Sequence, residues 1–139
     1  MSTDCLFCKI VRGDIPCAKV YEDENFLAFL DIGPIIKGHT LVIPREHYAS
    51  LPETPAPLLA DMMSVVQRIA GAQMNALKAD GINIVQNNGR AAGQLVDHIH
   101  FHIIPRFTTD GHKWNWAAKS YDSPAEMQSM ADQISARCS

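Results

Sequence analysis

An α+β fold on an antiparallel sheet is what this 139-residue sequence predicts, and three features carry the expectation. Strand-like runs outnumber helical ones, two of those runs meet at a short acidic turn as in a hairpin, and one long amphipathic pattern follows them. A doubly wound parallel sheet would instead need strands and helices in regular alternation.

Taken in order, "CLFCKIVRG" spaces Leu6, Ile10 and Val11 at near-helical intervals and stops at Gly13, so it reads as a short helix. "AKVYED" and "FLAFLDI" are strand-like, separated by the turn "EDEN" and ended by Gly33-Pro34. "HTLVIPR" is a third strand, with Pro44 at its far end or on a sheet edge. The long helix places Leu58, Met62, Val65 and Ile69 on one track and Val66, Ala70, Met74 and Leu77 beside it. Thr54-Pro55 is the expected cap and first residue, and Asp80-Gly81 the expected stop. "INIVQ" is a strand, "NNGRAAG" a polar loop and "QLVDHIHFHIIP" the last strand. "SPAEMQSMADQISAR" should form a C-terminal helix. The sheet is thus expected to carry one long helix and a C-terminal helix in a single domain over 1–139, with a core at about 5–107 and an extension at about 108–139.

Composition narrows the function classes. Apolar residues make up 47% and charged residues 19%, the balance of an ordinary globular protein. A formal charge of −3 leaves no basic footprint for nucleic acid. No window approaches the ~18 apolar residues of a spanning helix, so no membrane partner is expected. The opening "MSTDCLFCKIVRGD" lacks the basic region and apolar run of a secretory signal, which points to the cytoplasm. Thiols stay reduced there, so Cys5, Cys8, Cys17 and Cys138 are not a disulfide framework. Cys5-x-x-Cys8 invites a metal instead.

The chemistry concentrates in "DHIHFHIIPR". His98, His100 and His102 fall at every second position, so on a strand they line one face about 7 Å apart, while Ile99, Phe101 and Ile103 face the other way. Chance supplies one histidine to an exposed face more readily than three in register. Neutral imidazole is a zinc ligand, although three collinear positions do not converge on one ion. It is also a nucleophile at neutral pH, able to attack phosphorus and form a labile phosphoramidate. His100, flanked by the other two, is the best-placed nucleophile. The preceding "QNNGRAAGQ" offers Asn87, Gln94 and glycine N–H groups to an anion. Arg90 and Arg106 read as solvated charges before they read as phosphate contacts.

"HIHFHII" resembles the H-x-H-x-H-x-x signature of the histidine triad (HIT) superfamily. The likeness extends to "CLFCKIVRGDIPCAKVYEDENFLAFLDIGPIIKGHTLVIPREH" and "NNGRAAGQLVDHIHFHIIPR", together residues 5 to about 107. It implies a homodimer with the sheet continued across the subunits, and hydrolysis at the α-phosphorus of purine nucleotide or nucleotidyl-amine substrates, with no organic cofactor. It implies His100 as nucleophile, His102 at the phosphate and bridging atom, Asn87 and Gln94 at the phosphate, Asp31 at the ribose hydroxyls, Ile32 along the base or sugar, and His39 behind the triad. A nucleoside phosphoramidase is the leading expectation. A dinucleoside polyphosphate hydrolase and a nucleotide-binding regulatory protein are the alternatives. Leu95 departs from relatives that carry serine there, so phosphate binding would lean on backbone groups. The likeness also implies a structural zinc held by Cys5, Cys8, His47 and His98, the alternative being that the cysteines are buried helix thiols. Trp114 and Trp116 read as packing or dimer-contact residues, and His112 as a surface residue.

Overall fold

The computed structural model describes residues 4–114 and 117–138. Its elements are α1 (Leu6–Arg12), β1 (Lys19–Glu22), β2 (Phe26–Leu30), β3 (Thr40–Pro44), α2 (Ala56–Leu77), β4 (Gly81–Val85), β5 (Phe101–Arg106) and α3 (Pro124–Ser135). The strands form one sheet in the order β1-β2-β3-β5-β4, with every neighbouring pair antiparallel. No helix among the described residues is long and apolar enough to cross a membrane.

Period-2 alternation splits the apolar side chains between two layers. From β2, Phe26 and Ala28 join Val42, Phe101 and Ile103 under α2, whose Met62, Val65, Val66 and Ile69 complete that core. Leu27, Phe29, Leu41 and Ile43 face the other way and meet Phe7 of α1. Ile43 and Ile103 are fully buried, each contributing roughly 1.5–3 kcal/mol of hydrophobic stabilisation. His102 lies between Leu41 and Val85 in register, and so belongs to the α1 side of the sheet.

Several ends differ from the sequence expectation. α2 is capped by Pro55 with no side-chain hydrogen bond, because the Thr54 hydroxyl donates to the Ser50 carbonyl. It stops at Lys78, held in the left-handed region at φ 58°, before Asp80-Gly81 is reached. The expected last strand from Gln94 is shorter and begins at Phe101, with residues 96–98 forming a bend. The His98 N–H turns back to the Val96 carbonyl and the Ile99 N–H donates to the Tyr48 carbonyl, so this stretch pairs with a loop and not with the sheet. α3 is capped by Ser123, whose hydroxyl accepts from the Glu126 N–H, and none of its residues is buried.

Candidate active site and metal centre

A cavity of about 350 Å³ opens between α1 and the sheet, a size usual for small-molecule sites. Its walls are mostly apolar: Leu6, Phe7 and Ile10 of α1, then Ile15, Pro16 and Cys17, with Phe29 and Leu41 from the sheet. Its polar groups are few, namely Asp31, Asn87, His100 and His102. The sequence reading missed the α1 face and the Ile15-Pro16-Cys17 wall. Leu6 stays 44% exposed beside buried Phe7, a difference visible only in the folded chain.

His100 stands just before β5, and its Nδ1 lies 2.7 Å from the His98 carbonyl oxygen. A carbonyl only accepts, so the proton sits on Nδ1 and the lone pair on Nε2. Phe7 packs edge-on against this ring at 5.0 Å. Burial depresses the His100 pKa, which keeps the ring neutral and nucleophilic at pH 7.

His102 follows on the same face, its ring centroid 4.9 Å from that of His100. Burial pushes its pKa down to about 4. His39 is buried behind it, with Nε2 2.9 Å from His102 Nδ1, and burial lowers its pKa as well, against an opposing pull from Asp31. Asp31 Oδ2 approaches His39 Nε2 to 3.8 Å, and since the ring is neutral this is not an ion pair. Asp31 Oδ1 accepts the Gly33 N–H at 2.9 Å, leaving its carboxylate on the cavity wall beside fully exposed Ile32. Gly38, in the left-handed region at φ 99°, sets up His39 in a backbone conformation that strains any residue with a side chain.

Asn87 lines the cavity, but Gln94 does not. Gln94 is buried with its amide spent on the loops: Nε2 donates to the Ala49 and Val96 carbonyls, and Oε1 accepts the Gly89 N–H. It shapes the phosphate-side loop instead of reaching into the cavity. Arg106 is also occupied, forking to Asp110 and Asn83 and pinning the tail to β4. Trp114 donates to Asn83 Oδ1, and the half-buried His112 ring packs edge-on against it. Trp116 lies outside the described residues. Arg90 is exposed on a neighbouring groove that shares Leu6, Leu95 and Val96 with the cavity.

His98 lies on the α1 side of the sheet like the other two, edge-on to the same Phe7 ring at 5.9 Å, but it precedes β5 and does not line the cavity. Its Nε2 donates to the Pro44 carbonyl at 2.8 Å, so its Nδ1 carries a lone pair. That Nδ1 lies 3.4 Å from Cys5 Sγ, 3.6 Å from Cys8 Sγ and 3.2 Å from His47 Nδ1, and Cys8 Sγ is 3.3 Å from His47 Nδ1. These four atoms form one cluster. Zinc bonds meeting at the tetrahedral angle would separate two nitrogens by about 3.4 Å and a sulfur from a nitrogen by about 3.6 Å. The spacing therefore fits a Cys₂His₂ cation site. The Pro44 carbonyl plays the outer part that usually fixes a ligating imidazole.

A HIT domain model matches residues 12–109. Adenosine 5'-monophosphoramidase hnt1 of Schizosaccharomyces pombe is 44% identical over 134 residues, covering 96% of this chain and 97% of that protein. The crystal structure of a HIT family member from Bacillus subtilis superimposes with a TM-score of 0.90 at 44% identity, covering 98% of both chains. A Zn-bound histidine triad family protein from Mycobacterium smegmatis gives a TM-score of 0.78 at 44% identity over 98% of this chain and 99% of that one.

Proposed function

The chain belongs to the HIT family, and from that membership we propose that it hydrolyses nucleoside phosphoramidates, or related nucleotidyl substrates, at the α-phosphorus. The product is a nucleoside monophosphate. The observation that carries this reading is the 2.7 Å contact from His100 Nδ1 to the His98 carbonyl, which leaves Nε2 with the lone pair beside a nucleotide-sized cavity. Kinship with a monophosphoramidase supports the leaving group chosen.

In the reaction, the ribose hydroxyls donate to Asp31 and the base enters the slot of Leu6, Phe7, Ile10 and Ile32. The α-phosphate lies against Asn87 and the N–H groups of the loop that Gln94 holds. His100 Nε2 attacks phosphorus, the bond to the leaving group breaks with its electron pair, and the departing atom takes the proton of the His102 N–H. Water then cleaves the nucleotidyl-His100 bond, its hydroxyl going to phosphorus and its proton restoring the His102 N–H. Cys5, Cys8, His47 and His98 would hold a zinc ion whose chemistry is structural, since four protein ligands leave no position for water.

The homodimer is part of the same proposal. Met62, Val65 and Ile69 of α2 are consumed by the chain's own core. Met63, Met74 and Leu77 on the outer side, with Ile84 on edge strand β4, remain exposed and suit a two-fold contact. Sedimentation at micromolar concentration should show twice the 15.4 kDa chain mass, and a monomer alone would reject it.

The mechanism is tested with a substrate chiral at the α-phosphorus. Two displacements through His100 give retention, and quenched reactions should yield the adduct by mass spectrometry. Inversion would mean that water attacks directly. Faster turnover of a dinucleoside polyphosphate than of adenosine 5'-phosphoramidate would move the assignment to the longer leaving group.

A further inference from the structure

We propose that the backbone N–H of Ile35 sets the tautomer of the His39–His102 pair and so holds His102 as a neutral hydrogen-bond donor toward the substrate. The functional meaning rests on the reading of His102 given above, whereas the tautomers rest on geometry alone.

A main-chain amide can only donate, and a neutral imidazole has one N–H and one lone pair. The Ile35 nitrogen lies 3.1 Å from His39 Nδ1, so that atom accepts and the His39 proton sits on Nε2. His39 Nε2 lies 2.9 Å from His102 Nδ1, which must accept in turn. The His102 proton is thereby placed on Nε2, on a residue that lines the cavity. Asp31 Oδ2, 3.8 Å from His39 Nε2, favours an N–H at the same atom.

Every other arrangement opposes two donors. Moving the His39 proton to Nδ1 sets it against the Ile35 N–H and leaves a buried donor without an acceptor. Adding a second proton to His39 does the same, and adding one to His102 Nδ1 meets the His39 N–H. At 2.9 Å the two ring nitrogens stand at hydrogen-bond distance, shorter than the roughly 3.4 Å of two nitrogens bound to one zinc ion. The pair is a directed chain, not a second cation site.

The loop is built to bring its own amide to its own histidine. Asp31 Oδ1 accepts from Gly33 N–H, the Asp31 N–H donates to the His39 carbonyl and the His39 N–H donates to the Ile36 carbonyl. Gln73 of α2 donates to the Gly38 and Ile103 carbonyls, tying the residues beside His39 and His102 to one helix. Ile35 is therefore a positioning residue acting through its main chain, and its side chain is exposed. The consequence falls at His102 Nε2, which can donate to a phosphate oxygen or departing atom and, before it gives up that proton, has no lone pair to take one from water.

Long-range proton–nitrogen NMR of the protein with ¹⁵N-labelled histidine tests this directly at pH 7. The expected spectrum shows His39 and His102 each unprotonated at Nδ1 and protonated at Nε2. A proton on His39 Nδ1, or two protons on either ring, overturns the proposal. Replacing Ile35 by its α-hydroxy analogue keeps the side chain and turns the amide into an ester. In that protein His39 and His102 should lose their single tautomer, and turnover of adenosine 5'-phosphoramidate should fall by up to about tenfold, the worth of one hydrogen bond. His100 should keep its tautomer, since the His98 carbonyl sets it. Unchanged tautomers at both rings in the ester protein overturn the proposal, and if the ester protein does not fold, the native spectrum decides. Absent turnover alongside the expected native spectrum would count against the enzymatic reading and leave the tautomer assignment standing.

Discussion

Two imidazole clusters lie within a few residues of each other and do opposite things with the same ring. Around His98, ring nitrogens and thiol sulfurs converge at 3.2 to 3.6 Å. Around His102, donors and acceptors alternate at 2.9 and 3.1 Å along a line from the Ile35 amide through His39. The first geometry asks for a cation and the second carries hydrogen bonds in one direction. What separates them is the group that caps the far ring nitrogen. A carbonyl (Pro44) caps His98 at Nε2 and frees Nδ1, whereas an N–H reaching through His39 caps His102 at Nδ1 and leaves a proton on Nε2. The roles of His98 and His102 are set by backbone groups outside the signature.

The sharpest test of that contrast is the ring between the clusters. His100→Asn should keep substrate binding and lower kcat by at least about 10³-fold, as expected when a nucleophile is removed. A smaller loss in single-turnover measurements would mean that His100 is not the nucleophile. Next in size is Cys8→Ser, which removes a ligand and should weaken cation affinity by more than about 100-fold, since loss of even an outer partner costs 10–100-fold. Elemental analysis should find close to one zinc per chain in native protein and far less in the variant, with some nucleotide binding retained. Native protein with well under one metal per chain would erase the contrast.

His102→Ala should cost about 10² to 10³-fold in turnover for a poor leaving group and much less for a good one, because its N–H matters where charge develops on the departing atom. Equal losses across a leaving-group series would make His102 a packing residue. The smallest effect concerns stability. Burial holds His98 and His102 near pKa 4, below the 6.5 of an unperturbed ring, so the unfolded chain takes up protons that the folded chain refuses. Stability is then fully present above pH 6.5, falls as pH drops from 6.5 to 4, and levels off below. His98 alone should contribute on the order of 2 kcal/mol of loss by pH 4.5 in metal-free protein, read by denaturant unfolding. A flat profile over that window would mean these rings are solvated in the folded state.

Much of this was legible in the sequence because it depends on period. The 2.0-residue alternation of "FLAFL" and the 3.6-residue track from Leu58 to Ile69 place side chains by local geometry alone, and both recur in the fold. The triad was legible as three histidines on one side of the sheet, but not as two that line the cavity and one that joins the cysteines. "HIHFHII" alternates whether or not the chain stays extended, and the bend at His98 comes from pairing with Tyr48, fifty residues away. Gln94 looks like any loop amide until its three backbone partners are known. The Ile35 amide leaves no trace in the sequence, since a backbone N–H belongs to almost every residue.

Helix α1 is only seven residues long, yet it borders both clusters. Cys5 at its cap and Cys8 in its first turn belong to the cation site, while Leu6, Phe7 and Ile10 wall the cavity. Two ligands on one short rigid body are thermodynamically linked. A cation that orders α1 lowers the entropy a nucleotide must forfeit on entering, and the nucleotide returns the same factor to the cation. Nucleotide-occupied chains would then hold metal more tightly against a chelator at equilibrium than empty ones, and bound nucleotide would add to the stability of this helix.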